Sequence, residues 1–282
     1  MKLYQRLFLI FLICFLTIGL FNNLTLAERN YISNYNEKEN EIVATTNHAE
    51  LYIEKNYISK EEIYNIADKI EKGIRDLKKY LGSKYLKYNF KKMGKIKYYI
   101  QKGDKISHAI RSNKSIELYH VHLKQSPYIH ETAHVLLDNN EFETPDTWLT
   151  EGLPIYLNSK FAEYPPELVG DKNNPNKLSQ RYVKSDKYKV VLEYFPKKFH
   201  RSSDERWAFY SFAGSFIKFI ENKYGKEKLL KLYNAKRKEI FTISDLEDTQ
   251  NEDNRKITNS TEDIFGVSIE ELKNEWLDIL QN

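Results

Sequence analysis

The feature that most constrains this chain is the pentapeptide His-Glu-Thr-Ala-His at positions 130–134. In a helix, residues four positions apart project from the same face, so His130 and His134 can reach one metal ion. Glu131 lies beside that face, where a carboxylate can take a proton from a water molecule. The pattern predicts a metal site, and the rest of the chain must supply a third ligand.

The residues around the motif favour a helix. Ser126 and Pro127 suit the N-cap and the first helical position, and residues 128–138 contain no residue that breaks a helix. Ile129 and Ala133 can face the core while the two histidines share another face. We therefore expect the motif to have the helical context that it requires.

The best candidate for the third ligand is Glu151, in the sequence Trp-Leu-Thr-Glu-Gly at 148–152. A carboxylate joined to two histidines leaves the fourth tetrahedral position open, which is the pattern of catalytic zinc. Pro154 would disrupt a helix interior, so we place the start of the second helix near Thr150, with Pro154 in its first turn.

Composition excludes two classes of site. The only cysteine is Cys14, inside an apolar N-terminal run, so neither an internal disulfide nor a zinc site made of thiolates can form. The net charge is +4, and lysines and glutamates are interspersed without a basic stripe that carries aromatic residues. We therefore predict no nucleic-acid partner.

The N-terminus has the layout of a secretory signal peptide. Lys2 and Arg6 precede an apolar run at 7–21, and Thr25-Leu26-Ala27 offers small residues at the cleavage site. Cleavage after Ala27 predicts a secreted protein. The alternative is an uncleaved segment that anchors an extracellular domain in the membrane, although the run is shorter than the roughly 20 residues of a spanning helix.

The order of patterns predicts an α+β fold. Polar residues at 28–46 indicate a flexible linker, and 47–282 forms the folded domain, with a small mixed sheet and the metal helix at 47–139 and a helical half at 140–282. A helix capped by Ser59 and Glu62 lies among the strands. Predicted strands are 48–54, 95–101, 106–110 and 115–123, the last as an edge strand.

The metal motif, followed by Trp-Leu-Thr-Glu-Gly-Leu-Pro-Ile-Tyr at 148–156, resembles the gluzincin zinc peptidases. Within them it is most similar to the peptidase MA-like domains related to thermolysin and the M1-type aminopeptidases. The resemblance implies a zincin-like, thermolysin-like fold with an active-site cleft between the two halves. It also implies one catalytic Zn²⁺ held by His130, His134 and Glu151, with Glu131 as general base.

The resemblance continues at 207–225, which looks like the family helix that packs behind the site. Tyr210 stands about where M1-type relatives carry a tyrosine that steadies the oxyanion, which implies a catalytic role. The other interpretation is a buried aromatic residue in an aromatic-rich helix.

These implications together predict a secreted zinc-dependent peptidase that acts on a peptide or protein. M1-type aminopeptidases carry a Gly-x-Met-Glu-Asn strand, and residues 115–123 stand in its place, so endopeptidase activity is favoured. That predicted edge strand could pair with an extended substrate. The alternatives are an aminopeptidase and an exported, zinc-bound binding module that does not hydrolyse, against which the intact Glu131 argues.

Overall fold

The computed structural model describes residues 32–37, 41–110, 113–121, 126–137, 147–162, 175–196, 203–240 and 261–281. The predicted signal peptide, residues 1–27, lies outside the described residues. Within those ranges, no helix combines the length and the apolar character needed to cross a lipid bilayer.

A six-stranded mixed sheet forms the first half, in the order β1-β2-β3-β4-β6-β5. Its first three strands are antiparallel, β3, β4 and β6 are parallel, and β5 runs antiparallel to β6 at one edge. The strands are β1 Asn34–Glu37, β2 Glu41–Thr45, β3 Ala49–Glu54, β4 Ile96–Ile100, β5 His108–Ile110 and β6 Ser115–Leu118.

Helices make up most of the second half, which confirms the α+β class. The helices of the chain include α1 Lys60–Tyr85, α2 Phe90–Met93, α3 Tyr128–Leu137, α4 Thr147–Phe161, α5 Asn176–Val183, α6 Lys189–Tyr194, α7 Ser203–Tyr224, α8 Lys226–Ile240 and α9 Ile269–Gln281. Of these helices, α1 and α2 precede the metal motif, α3 contains it, and the others follow in sequence.

One face of the sheet is buried, because its strands alternate apolar and partly exposed residues. In β3, Leu51 and Ile53 are fully buried, while Tyr52 between them is only half-buried. On that outer face Tyr52 stacks on Tyr99 of β4, with ring centroids 5.2 Å apart. The helices therefore cover the inner face, where Tyr98 of β4 is buried.

Helix α1 supports the metal helix α3. Ser59 and Glu62 form the predicted capping box, and the apolar stripe that includes Ile63 and Ile70 is buried. At Gly73 a Cβ atom would lie only 2.3 Å from Cδ1 of Ile129 in α3. The glycine thus leaves room for the Ile129 side chain between α1 and α3, and a larger residue here would force that side chain to move.

Aromatic residues fill the core of the second half. The ring of Phe195 lies 5.5 Å from Phe216 and 5.4 Å from Trp276, centroid to centroid. The indole nitrogen of Trp276 donates a hydrogen bond to Ser215 Oγ at 3.0 Å, so this large side chain leaves no unpaired donor. These contacts join α6, α7 and α9.

The prediction of a flexible linker at 28–46 is wrong where the structure describes it. Asn34–Glu37 and Glu41–Thr45 form β1 and β2, paired to each other and to β3. Ile42 and Ala44 alternate into the core, a pattern too short to stand out in a polar stretch. Pairing with β3 supplies the stability that local composition does not.

The predicted edge strand at 115–123 is both shorter and more central than expected. β6 ends at Leu118, and His120 has a left-handed φ of 57°, which a strand residue does not adopt. β6 lies between β4 and β5, so β5 is the edge on this side. Alternation reports which face of a strand is buried, but not which neighbours it pairs with.

The second metal-site helix begins earlier than predicted. α4 starts at Thr147, so Pro154 lies inside it, where its nitrogen cannot donate to the Thr150 carbonyl. Trp148 is buried and packs against Phe216 of α7, with centroids 5.3 Å apart. Tertiary packing of this first turn stabilises the helix by more than the hydrogen bond lost at Pro154 destabilises it.

A buried carboxylate ties the turn between β2 and β3 to α1. Glu71 is fully buried and accepts hydrogen bonds from Thr46 Oγ1 at 2.7 Å and from His48 Nδ1 at 2.7 Å. Lys78 Nζ lies 2.7 Å from the other ring nitrogen of His48. An ammonium group can only donate, so Nε2 of His48 accepts and its Nδ1 carries the proton.

These contacts predict an acid-sensitive contribution to stability. Burial raises the pKa of Glu71, but the hydrogen bonds from His48 and Thr46 outweigh it and lower the pKa overall. The ionised carboxylate therefore stabilises the fold above its unfolded pKa of about 4.3, and this contribution is lost as pH falls through the lower folded value. Glu71→Gln should cost about 3 kcal/mol at pH 7 in urea unfolding, and the gap from wild type should narrow below pH 4.

Glu61→Gln is the matched control, because Glu61 is exposed on the first turn of the same helix. Its effect should stay within about 0.5 kcal/mol. An equal loss in both variants, or a gap for Glu71→Gln that does not change with pH, would contradict this account.

Candidate metal centre

Two helices bring the three predicted ligands together. Nε2 of His130 and Nε2 of His134, both on α3, lie 3.0 Å apart. Oε2 of Glu151 on α4 lies 3.5 Å from the first nitrogen and 3.4 Å from the second. In the part of the chain that the structure describes, these three side chains form the one His and carboxylate group able to hold a metal ion.

The triangle has the size that a small divalent ion requires. Ligand atoms placed tetrahedrally at about 2.0–2.1 Å from zinc lie about 3.3 Å from one another. The three observed edges of 3.0, 3.5 and 3.4 Å are close to that value. Two imidazole nitrogens and one carboxylate oxygen are also donors that zinc accepts. The residues therefore fit one zinc ion.

The charge of the centre also suits a cation. Glu131 and Glu151 are both buried, at 5% and 6% exposure. With both imidazoles neutral, as ligation requires, the ionised carboxylate of Glu151 gives the group a negative charge away from water. Such charges are stable in a protein interior only when they are paired or when they coordinate a metal.

The two histidines stabilise the charge of Glu151. Burial raises the pKa of its carboxyl, but the charge on His134 and hydrogen bonds from both rings hold the pKa well below its ordinary value. This carboxylate is thus ionised at neutral pH and ready to act as a ligand.

Glu131 lies beside the ligand triangle rather than in it. Its Oε1 is 4.0 Å from Nε2 of His130, and it does not belong to the group of three ligands. Adjacent helical residues differ in direction by about 100°, which separates this side chain from the face of the two histidines. The carboxylate can therefore serve an atom held near the centre without occupying the metal's coordination sphere.

The sheet holds the middle of the metal helix. Thr132 of the motif donates its hydroxyl proton to the Tyr128 carbonyl, so its oxygen accepts from Tyr98, 2.7 Å away. Tyr98 belongs to β4 and is buried. At the end of the helix, the N–H groups of Lys87 and Tyr88 donate to the carbonyl of Leu136 at 3.0 and 3.3 Å. A helix end needs such partners for its unpaired carbonyls.

Helix α7 packs closely on the helix that carries Glu151. A Cβ atom at Gly152 would lie 2.9 Å from the carbonyl carbon and oxygen of Ala213. One at Gly214 would lie 2.4 Å from Cγ2 of Ile155. Both glycines are therefore needed for this crossing, which sets α7 beside the metal centre.

Tyr210 lies on α7, one turn before Ala213, and is half-buried. Burial raises the pKa of its phenol, and the nearby charges of Glu151 and Glu131 raise it further, against the opposing effect of Arg206. The hydroxyl thus stays protonated at neutral pH, so it can donate a hydrogen bond.

Sequence reasoning missed Asn158 and assigned the helix cap wrongly. Ser126 Oγ, the predicted N-cap group, has no hydrogen-bond partner among the described residues. Oδ1 of Asn158 instead accepts from the backbone N–H of His130 at 3.3 Å. A signal existed: Asn158 is a polar residue two turns after Glu151, in a helix otherwise rich in apolar side chains.

Comparison of the chain with models of known protein families, and with the sequences of curated proteins, gave no match.

The geometry predicts one zinc ion per chain. His130→Ala, His134→Ala and Glu151→Ala should each weaken zinc binding by more than about 100-fold, beyond the loss typical of an outer-shell partner. Competition with a chromophoric chelator measures this affinity. Saturating zinc at about 100 times Kd should stabilise the wild-type fold by about 2.7 kcal/mol, seen as a higher Tm.

His108→Ala is the matched control, since that histidine lies half-exposed on the edge strand β5, outside the group of three ligands. It should bind zinc as the wild type does. Unchanged affinity in all three ligand variants would mean that the metal site lies elsewhere.

Proposed function

We propose that this chain is a zinc-dependent peptidase of the gluzincin type, and that it hydrolyses internal peptide bonds. The observation that carries the proposal is the arrangement of His130, His134 and Glu151 in a triangle of zinc size, with the buried carboxylate of Glu131 beside it. A structural zinc site closes all four positions with protein ligands, whereas three ligands are typical of catalysis.

The chemistry that a zinc ion supplies when bound is Lewis acidity, which lowers the pKa of a water molecule to about 7 and polarises a carbonyl group. Glu131 acts as general base: it accepts the proton of the attacking water and delivers it to the leaving amine nitrogen. Its burial favours these transfers, because no bulk water competes for the proton. His130, His134 and Glu151 hold the metal.

Tyr210 donates a hydrogen bond to the oxygen that becomes negative as water adds to the carbonyl carbon. The raised pKa keeps its proton in place at neutral pH, and the charges of Glu151 and Glu131 contribute to that rise. A donor that is already oriented in a partly buried site stabilises developing charge without reorganising.

An extended substrate would lie along β5, the edge strand at this side of the sheet. Among the described residues, this strand, His108–Ile110, pairs only with β6, and an edge strand of this kind can pair with an extended peptide on its other side. β5 takes the role that the sequence pattern assigned to 115–123. Export through the signal peptide at 1–27 belongs to the same proposal and places the peptidase outside the cell.

The function is tested with a peptide library derived from a proteome, digested by the mature protein and by Glu131→Gln. Glutamine keeps the size of the side chain but cannot take a proton, so the variant should bind zinc normally and cleave about 10²–10⁴-fold more slowly. Mass spectrometry of the products reports the cleavage sites, and a chelator should abolish cleavage by the wild type.

The pattern of cleavage separates the alternatives. Cuts within peptides support an endopeptidase, and removal of single N-terminal residues would identify an aminopeptidase instead. A wild-type protein that binds zinc but cuts no peptide would be a binding module. A Glu131→Gln variant that cleaves at the wild-type rate would rule out the assigned general base.

Tyr210→Phe tests the oxyanion donor. Removing only the hydroxyl should lower kcat by about 100-fold or more, with little change in KM or zinc affinity. Steady-state kinetics on a peptide found by the library measures both constants. Tyr224→Phe is the control, because Tyr224 lies on the same helix with its ring against Phe265, 4.6 Å between centroids. Similar kinetics for both variants would remove Tyr210 from the mechanism.

A further inference from the structure

We infer that Asn158 is a positioning residue of the metal centre: it holds the backbone of His130 and so fixes where the first metal ligand stands. The inference rests on the proposed metal site and adds a residue that the ligand motif does not contain. Asn158 is 1% exposed, so its amide is an element of the interior rather than of the surface.

Asn158 contacts α3 at its first turn. The N–H groups of a helix's first turn have no helical partner. Here Glu131 N donates to the Pro127 carbonyl at 3.0 Å, which is the first bond of the helix. His130 N precedes it and donates to Oδ1 of Asn158 instead, at 3.3 Å. The side chain thus supplies the partner that the expected N-cap, Ser126, does not.

Asn158 and the third ligand, Glu151, both lie on α4. Glu151 and Asn158 are seven residues apart, close to two full turns, so they project from the same side of the helix. Glu151 meets the imidazole rings of α3, and Asn158 meets the main chain of His130. One face of α4 therefore contacts the first histidine both at its ring and at its backbone.

The side-chain amide of Asn158 uses only its oxygen in this contact. Nδ2 of Asn158 is buried and has no hydrogen-bond partner among the described residues. A buried amide with one unpaired end is costly for stability alone, and an apolar residue of the same size would avoid that cost. The contact with His130 gives a reason for an asparagine at this position.

The test compares Asn158→Leu with Asn158→Asp. Leucine matches the volume but lacks the acceptor, whereas aspartate keeps an oxygen for His130 N and adds a charge that the start of a helix favours. Asn158→Leu should weaken zinc binding by about 10- to 100-fold, the range for residues that orient ligands. It should also alter the visible absorption of Co²⁺-substituted protein, which reports ligand geometry. Asn158→Asp should show a zinc affinity and a cobalt absorption spectrum close to those of the wild type.

Ser159→Ala is the matched control, because Ser159 is the next residue of α4, is buried, and bonds to the Tyr156 carbonyl at 2.8 Å. It should lower Tm without changing zinc affinity or the cobalt spectrum. If Asn158→Leu also changes only Tm, its role is structural and the inference is wrong. If the wild type itself binds neither metal, the proposed metal function fails instead, so the two failures are distinguishable.

Discussion

Every distance in the metal centre depends on how firmly helix α3 is held. Three different elements hold it: Asn158 of α4 at its first turn, Tyr98 of the sheet at its middle, and the backbone at 87–88 at its last turn. None of these contacts involves a ligand atom. The side chains of His130 and His134 can therefore be directed at one point without also having to secure the helix.

The same arrangement explains why the site is placed between the halves of the chain. The sheet half supplies two of the three supports of α3, and the helical half supplies the third, Asn158, together with Glu151 from α4. A site built on regular elements is better defined than one built on loops. The buried cluster around Glu71 also supports α3, although indirectly. It joins a turn of the sheet to α1, and α1 packs against α3 at Gly73.

Much of this could be predicted because local signals were strong. The capping box at Ser59, the alternation of β3 and the spacing of His130 and His134 each depend on residues close in sequence. Long-range pairing left no such signal. β1 and β2 depend on β3 for their stability, and the position of β6 depends on β5. The start of α4 depends on the packing of Trp148 against α7. Pro154 alone predicts a later start for this helix.

The contact between α4 and α7 has a different physical character from the rest of the site. Because main-chain atoms of Ala213 occupy the room beside Gly152, the separation of the two helices is limited by atomic radii. Such a limit does not respond to salt or pH, unlike an ion pair. The spacing between Glu151 and the helix that bears Tyr210 should therefore persist under conditions that reorganise the many surface charges of this protein.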